Sequence, residues 1–393
     1  MSYIGKTPTS VPLTSSDITD GIITTTKIAD ANVTNPKLIS GSQQNFRNII
    51  INGDMSIAQR ATSASSLTSS GYHTVDRYQT SITNIGTWTQ SQSTTVPTGQ
   101  GFATSLKMDC TTADASPAAD DALLIKQKIE GQNLQYLKKG TSSAESLTLS
   151  FWVRSNKTGT YITRLQDADN SRNISQSYTI SSADTWEKKT LTFAGDTTGA
   201  FNNDNGSSLE LNFWLGAGST YTSGTLNTSW NSITDANIAV GQVNLADSTS
   251  NEWYVTGVQL EAGTTASEFE FLPFDVNRER CYRYYRTLVP LNTENTGFSM
   301  GFYTANNNGR FAMHLENPMR TTPTLDIVTG TDYFKIFTAG GGDDELNSFS
   351  IMANSTERFV IANNTSQASG TGGQAGYVQS SSNSAYLGLE AEL

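Results

Sequence analysis

The chain has 393 residues and a formal net charge of −11. This acidity disfavours a nucleic-acid partner and attraction to anionic lipid, because both need concentrated Lys and Arg. Only 16% of the residues are charged, so neutral polar side chains cover much of the surface. No run approaches the roughly 18 apolar residues of a membrane span, and residues 1–6 lack the apolar core of a signal peptide. We therefore expect synthesis in a cytoplasm, with no nucleic-acid binding and no membrane insertion.

A short sequence pattern repeats in residues 17–38. Its apolar residues recur at every fifth position, a period that fits neither a coiled-coil seam nor a strand. Because a lone segment cannot bury its own apolar stripe, we predict that residues 1–45 attach the chain to another protein. The stripe consists of Ile18, Ile23, Ile28, Val33 and Leu38.

Residues 46–286 contain short strands separated by turns. Aliphatic residues alternate in 146–154, 209–215 and 252–260, which predicts strands with one buried face. In the last segment we expect two faces, one with Trp253, Val255 and Gly257 and the other with Tyr254, Thr256, Val258 and Leu260.

Residues 120–139 are the only segment that reads as helical. Gly131 interrupts the pattern, so we prefer a strand through residues 124–129 and one helical turn at 133–137. Many short strands with little helix predict an all-β fold, with a two-sheet sandwich of the jelly-roll kind.

Aromatic residues are the clearest functional signal, because sugar rings stack on Trp or Tyr while neighbouring amides and carboxylates bind hydroxyls. Trp152 and Trp214 alternate with the aliphatic residues of their strands, so we expect both on the outer sheet face. There they either pack beneath a loop or stack on a ligand. Tyr221 and Trp230 flank a loop of small polar residues. Our candidates for glycan contact are Trp214, Tyr221 and Trp230. Trp230 could instead contact a partner protein.

Basic and aromatic residues alternate in residues 278–286. The alternation predicts a strand over residues 281–286. In an acidic chain, at a domain junction, it indicates stacked Arg and Tyr in an interface rather than a nucleic-acid site. Our candidates for a subunit interface are Arg278, Tyr282, Arg283, Tyr284 and Tyr285.

After residue 286 the composition shifts toward Asn, Gly and Thr, which predicts a smaller β-domain over residues 287–393. Residues 340–345 and 366–376 are predicted loops. The predicted strands cover residues 297–304, 309–315, 334–338, 348–353 and 358–361.

Catalytic and metal chemistry has little support in the sequence. Cys110 and Cys281 lie far apart and are expected to be buried free thiols, and the two histidines, His73 and His314, are too few for a multi-His zinc site. Carboxylate clusters at residues 167–169 and 343–345 favour solvated turns, or a weak calcium site at best. We predict no catalytic residue, no metal and no cofactor.

Several strings resemble one widespread module of bacteriophage appendages. Residues 4–8 and 21–30 look like the N-terminal part of tail-fibre proteins of tailed phages, notably marine phages, and residues 385–393 look like the usual terminus of such chains. Tyr78 departs from the pattern, which more often has Trp. The strands at residues 151–154, 186–193 and 259–261 look like those of carbohydrate-binding-module jelly rolls. The other markers are residues 48–60, 75–78, 258–263 and 279–285.

This resemblance implies a structural tail-fibre protein of the virion, without enzymatic activity. It would attach through residues 1–45 to an adaptor, nozzle or baseplate protein of the tail. A jelly roll over residues 46–286 and a distal β-tip over residues 287–393 would follow, in a homotrimer that recognises a host-surface glycan. Two alternatives stay open. One is a tailspike polysaccharide depolymerase, although no β-helix period is visible. The other is a non-adhesive tail or baseplate decoration protein.

Overall fold

The computed structural model describes residues 46–338 and 342–393. Residues 47–393 form one compact unit. The predicted attachment stripe lies outside the described residues, so its role stays a prediction. None of the helices in the described part of the chain is long and apolar enough to cross a bilayer.

The strands up to residue 262 are separated mostly by short turns, with one brief helix, α1 (Ser219–Thr222). In chain order they are β1 (Ser63–Leu67), β2 (Gly71–Tyr72), β3 (Gln79–Thr83), β4 (Thr87–Ser93), β5 (Ser105–Thr112), β6 (Ala122–Glu130), β7 (Leu147–Ser155), β8 (Gly159–Asp167), β9 (Arg172–Ile180), β10 (Glu187–Phe193), β11 (Ser207–Ala217), β12 (Asn231–Ser232) and β13 (Glu252–Ala262).

Beyond residue 262, helix α2 (Phe274–Tyr282) precedes a second set of strands. These are β14 (Tyr285–Val289), β15 (Gly297–Ala305), β16 (Asn308–His314), β17 (Thr324–Val328), β18 (Phe334–Thr338), β19 (Gly342–Leu346), β20 (Ser350–Ile351), β21 (Phe359–Asn364), β22 (Ala375–Ser380) and β23 (Tyr386–Glu390).

Two antiparallel sheets form the first sandwich. Sheet A has the strand order β1-β4-β5-β13-β7-β10, and sheet B has the order β12-β9-β8-β11-β6-β3-β2. Their inner faces share one core, in which Trp88, Phe151 and Trp253 of sheet A meet Tyr161 and Phe213 of sheet B. The rings of Phe151 and Phe213 lie 5.1 Å apart, edge to face. The predicted all-β sandwich is confirmed, and alternation within the strands creates the buried faces.

One strand departs from the predicted alternation. The register of β13 against β7 shifts just after Thr256, and Gly257 has a φ of +63°, which side chains other than glycine rarely adopt. This bulge adds a residue, so Val258 and Leu260 point into the core on the side of Trp253. The prediction that placed them on the opposite face is wrong, because alternation cannot reveal a bulge.

Two further sheets enclose a second core. Sheet C has the order β14-β23-β17, and sheet D has the order β19-β18-β22-β15-β16-β21-β20. Phe311, Phe334 and Ile336 of sheet D pack with Val289 and Leu387 of sheet C. The predicted smaller set of strands is therefore present, although the predicted domain bounds themselves stay a prediction.

The predicted loop at residues 340–345 is wrong where the structure describes it. Gly342–Leu346 pairs with β18 as a strand. Its central Asp344 is buried and accepts hydrogen bonds from the Tyr303 hydroxyl at 2.5 Å and the Ser369 hydroxyl at 2.8 Å. These partners satisfy the carboxylate, so an acidic segment can pair inside a sheet.

The predicted strand at residues 281–286 is also wrong, because helix α2 extends to Tyr282. Asn277 and Cys281 are its buried residues. They stand four positions apart and therefore share one helix face. A strand begins only at Tyr285 and pairs with β23.

Candidate functional site

The outer face of sheet B presents a line of polar side chains at one register. Gln79 of β3 pairs with Lys126 of β6, Lys126 pairs with Asn212 of β11, and Asn212 pairs with Arg164 of β8. Their neighbours along each strand point into the core, so these four residues face outward. Strands lie about 4.8 Å apart, which gives the line a length of about 14 Å. We call these four residues the polar row.

Polar atoms of the row are buried without hydrogen-bond partners. Arg164 is 8% exposed and Asn212 is 0% exposed. The Nε of Arg164, the Oδ1 of Asn212 and the Oε1 of Gln79 have no partner among the described residues. The guanidinium donates through Nη2 to Gln166. Buried polar atoms are almost always paired in folded proteins, and an unpaired one carries its desolvation cost. An ordered water or a polar ligand would supply the missing partners.

The cations of the row lack ion pairs within the described part of the chain. Burial lowers the pKa of Arg164 to about 10, although Glu210 and Asp235 act in the opposite direction. Burial likewise lowers the pKa of Lys126, and the nearby charges of Lys128 and Arg164 add to this effect. Burial disfavours the charged form of a cation, so the charged forms of both side chains are less stable here than in water. Arg164 still carries its charge at neutral pH.

A second line of outward side chains runs beside the polar row. Glu210 pairs with Lys128 on one side and with Gln166 on the other. The Nζ of Lys128 donates to the backbone oxygen of Leu393 at 2.8 Å. Together the two lines hold three cations and a single carboxylate, in a chain whose formal net charge is −11.

An aromatic pair borders the row. Trp214 follows Asn212 by two positions in β11 and therefore shares its face. Its ring lies 5.3 Å from that of Tyr221 and packs against Ile238 in the connection after β11. Trp214 is 3% exposed, so it packs beneath a loop, which was one of the two alternatives. The buried ring leaves no open face for a sugar, but its Nε1 also has no partner among the described residues.

Arg164 links this aromatic pair to the row, with its guanidinium carbon 5.8 Å from the Trp214 ring centre. Tyr221 is half-buried. Of the predicted glycan candidates, Trp214 and Tyr221 are therefore brought together beside the polar row.

Trp230 lies elsewhere. Its Nε1 donates to the oxygen of Ala194 at 2.7 Å, and the Nζ of Lys139 lies 5.4 Å from its ring. The half-buried ring packs against the core of the first sandwich. These contacts give Trp230 a structural role, and its contact with a glycan stays a prediction.

The predicted interface residues Arg283 and Tyr284 are engaged within the chain. Arg283 donates to Glu130 through Nε and Nη2, both at 2.7 Å. The Tyr284 hydroxyl donates to the same carboxylate at 2.5 Å, and its ring lies 3.4 Å below the guanidinium of Arg77. Burial opposes ionisation of Glu130, but these hydrogen bonds outweigh it and lower its pKa.

Tyr285 is also buried, and its hydroxyl lies 2.6 Å from Asp326. Tyr284 and Tyr285 therefore stabilise the junction between the two sandwiches and present no ring to a second chain, because both are fully covered. Arg278 stays exposed with its guanidinium 5.6 Å from the half-buried Tyr282 ring. For these two residues and Arg283 the subunit interface stays a prediction.

The predicted carboxylate clusters lie only partly in solvated turns: Asp169 is in the turn after β8 and Asp343 is exposed, whereas Asp167 and Asp344 are buried. Asp167 is buried and pairs with the Nζ of Lys139 at 2.5 Å. Across the described residues, no group of His, Cys, Asp and Glu is arranged to hold a metal ion. Cys110 and Cys281 are buried free thiols, as predicted.

No protein-family model matches the sequence, and no curated protein matches it either. Solved structures similar to the chain include the enzymatically active domain of bacteriophage CBA120 tailspike protein 4. The identity is 16% and the TM-score 0.29, and the match covers 55% of this chain and 21% of that one. The chain thus spans about a fifth of that tailspike's length.

Two carbohydrate-binding modules are also similar. TmCBM61, solved in complex with beta-1,4-galactotriose, has 8% identity and a TM-score of 0.28, and the match covers 55% of this chain and 99% of that one. The family 11 module of a Clostridium thermocellum cellulosomal cellulase has 11% identity and a TM-score of 0.25, with 55% and 96% covered. Likeness at this level bears on neither ligand nor activity.

Sequence reasoning missed the polar row. One signal was visible, since Asn212 stands two positions before Trp214 and therefore alternates with the aliphatic residues of its strand. The register that aligns four strands was not visible.

Proposed function

We propose that the chain is a structural tail-fibre protein of a tailed bacteriophage that binds a host-surface glycan at the polar row, without enzymatic activity. The observation that carries the binding site is the set of buried atoms without partners: Arg164 Nε, Asn212 Oδ1 and Trp214 Nε1. Sugar hydroxyls both donate and accept hydrogen bonds, so a glycan could satisfy donors and acceptors in one line. The tail-fibre part rests on the sequence resemblance.

In this proposal each side chain has a distinct role. Arg164 Nε and Trp214 Nε1 donate to ring or hydroxyl oxygens, and Asn212 Oδ1 accepts from a hydroxyl. Tyr221 flanks the sugar at the end of the row. A row of about 14 Å, built on strands, holds these groups in fixed positions, which reduces the entropic cost of binding.

The remaining assignments follow the sequence. Residues 1–45 attach the chain to a tail protein, residues 46–286 form the glycan-binding jelly roll, and residues 287–393 form a distal β-tip. The protein resides in the virion as part of a homotrimeric fibre. Light scattering on the full chain tests the trimer, which a clean monomer mass contradicts.

Binding is tested with the full chain on an array of bacterial surface polysaccharides. We expect retention of at least one polysaccharide and a roughly tenfold loss of affinity in Asn212→Leu, which corresponds to about 1.4 kcal/mol for one buried hydrogen bond. The matched control is Thr190→Val, on the exposed outer face of sheet A. Leucine removes an oxygen without a partner, at the cost of the long hydrogen bond from Asn212 Nδ2 to the Glu210 backbone oxygen at 3.4 Å, so the free energy of unfolding should change by less than about 1 kcal/mol.

Two results contradict the proposal. Retention of no polysaccharide removes the adhesive role and favours a decoration protein. Steady release of new reducing ends from a bound polysaccharide removes the non-enzymatic part and favours a depolymerase.

A further inference from the structure

The two cations of the polar row form no ion pair among the described residues, although the charge of Glu210 acts on both and that of Asp235 acts on Arg164. The other buried cations of the first sandwich are paired: the Nζ of Lys139 lies 2.5 Å from Asp167 and 3.0 Å from Asp196, and Arg77 pairs with Glu392. Arg164, although 8% exposed, has a single hydrogen bond, to the neutral amide of Gln166. The row therefore differs from the rest of the sandwich because its buried cation has no ion pair among the described residues.

Lys126 and Arg164 stand on either side of Asn212 at one register. The two positive charges repel each other, and the charge of Arg164 lowers the pKa of Lys126. Two cations that repel each other across a buried amide destabilise the empty site. An anion bound between them would offset this repulsion and favour both charged forms.

We infer that the polar row selects an acidic glycan, and that Arg164 and Lys126 bind the carboxylate of a uronic or sialic type of sugar. This inference rests on the proposed glycan-binding function and names its ligand class. A guanidinium binds a carboxylate through parallel N–H groups, and the Nε–H of Arg164 has no partner among the described residues. This atom is covered in the ligand-free structure, so the side chains above it must move when the carboxylate binds. Asn212 Oδ1, between the two cations, accepts a hydroxyl of the same sugar.

Glu210 sets a limit on the ligand. It lies on the adjacent line of the same face, and its charge acts on both Arg164 and Lys126. Asp235 also acts on Arg164, so the chain offsets part of the positive charge itself, and a dense polyanion would meet repulsion from both carboxylates. We therefore expect a binding site for one carboxylate at a time, not a general polyanion surface.

The test uses pairs of sugars that differ only in charge. Galacturonate, glucuronate and N-acetylneuraminate, each beside its methyl ester, are titrated into the full chain, and ligand-observed NMR measures the dissociation constants. We expect at least one acid to bind roughly tenfold more tightly than its ester. This preference should disappear in Lys126→Met and in Arg164→Met, and should weaken as salt concentration rises.

Lys188→Met is the matched control, because it removes the same charge from the outer face of sheet A, where Lys188 lies opposite Trp152. The preference should persist in this variant. Lys126 is only half-buried, so Lys126→Met decides the question even if Arg164→Met fails to fold.

The outcomes separate the two proposals. Equal binding of acid and ester, with reduced binding of both in Asn212→Leu, overturns the acidic-sugar inference and leaves glycan binding in place. A preference for the acid that survives in Lys126→Met overturns the assignment to this row. No binding of any sugar, together with no retention on the polysaccharide array, overturns the proposed function and the inference with it.

Discussion

The outer faces of sheets A and B belong to one sandwich, yet their cations have opposite surroundings. On sheet A, Glu252 accepts hydrogen bonds from Lys107 at 2.9 Å and from Arg154 at 3.0 Å, so both cations are neutralised. On sheet B, Arg164 and Lys126 have no ion pair within the described residues. The same strand geometry therefore supports ion-paired cations on one side and cations without an ion pair on the other.

The difference in ion pairing between the two faces shows where folding leaves charged groups without partners. The face of sheet A resembles an ordinary stabilising surface, in which Tyr254 donates to Glu252 at 2.9 Å and lies beneath the guanidinium of Arg154. The face of sheet B buries Arg164 without an ion pair among the described residues, and only the more distant charges of Glu210 and Asp235 offset it. Natural sequences break such local rules mainly at functional sites, so the unsatisfied face is the better candidate for ligand binding.

The largest expected effect comes from removing the shared acceptor of sheet A. In Glu252→Ala, Lys107 and Arg154 lose their common partner, and each keeps one carboxylate, Asp109 at 3.3 Å and Asp184 at 2.7 Å. We expect the free energy of unfolding to fall by about 2 to 3 kcal/mol, since a charge network loses its centre. Urea denaturation measures this change, and glycan affinity should stay the same. Unchanged stability would show that the ion pairs of sheet A do not stabilise the fold, and the two faces would then not differ in this respect.

Removing the buried cation of sheet B should have the opposite sign. In Arg164→Met, an unpaired guanidinium gives way to an apolar side chain of similar length, at the cost of its hydrogen bond to Gln166. We expect the ligand-free protein to gain about 1 to 2 kcal/mol of unfolding free energy. Arg154→Met on sheet A serves as the control and should lose stability. A comparable loss in Arg164→Met would show that Arg164 is a structural residue.

Local sequence patterns were sufficient to predict the sandwich. Alternation in residues 146–154 and 209–215 marks two central strands, and Gly131 correctly separates a strand from the turns that follow it. The bulge at Gly257 and helix α2 escaped prediction for a physical reason. Both depend on packing against distant segments, which overrides the local period.

The candidate site was only half visible in the sequence. Alternation along β11 places Trp214 on the outer face, and Asn212, two positions earlier, lies on the same face. The alignment of Asn212 with Gln79 and Arg164, however, is set by the register of strands that are far apart in the chain. Burial of Arg164 without a counter-ion likewise depends on what surrounds it in space, and no sequence period encodes that.

The smallest expected effect is the pH dependence of stability, to which Glu252 of sheet A contributes at low pH and Lys126 of sheet B at high pH. Burial opposes ionisation of Glu252, but the hydrogen bonds from Lys107, Tyr254 and Arg154 outweigh it and lower its pKa below the ordinary 4.5. An acid with a depressed pKa in the folded state stabilises the protein above its unfolded pKa. That contribution is lost as the pH falls through the folded pKa. The stability difference between wild type and Glu252→Ala should therefore be complete at pH 6 and shrink below about pH 4.5.

Lys126 should respond at the other end of the scale. Burial lowers its pKa from the ordinary 10.5, so the folded chain releases this proton before the unfolded chain does. Stability then rises with pH between the two values. Any advantage of Lys126→Met over wild type should thus be present at pH 7 and shrink toward pH 10.5, with a change of about 1 kcal/mol or less for a half-exposed group. Urea titrations of the two variants at pH 3, 7 and 10 measure both trends. If the Lys126→Met difference were instead constant with pH, the lysine would be as well solvated as any surface cation, and the contrast between the two faces would rest on Arg164 alone.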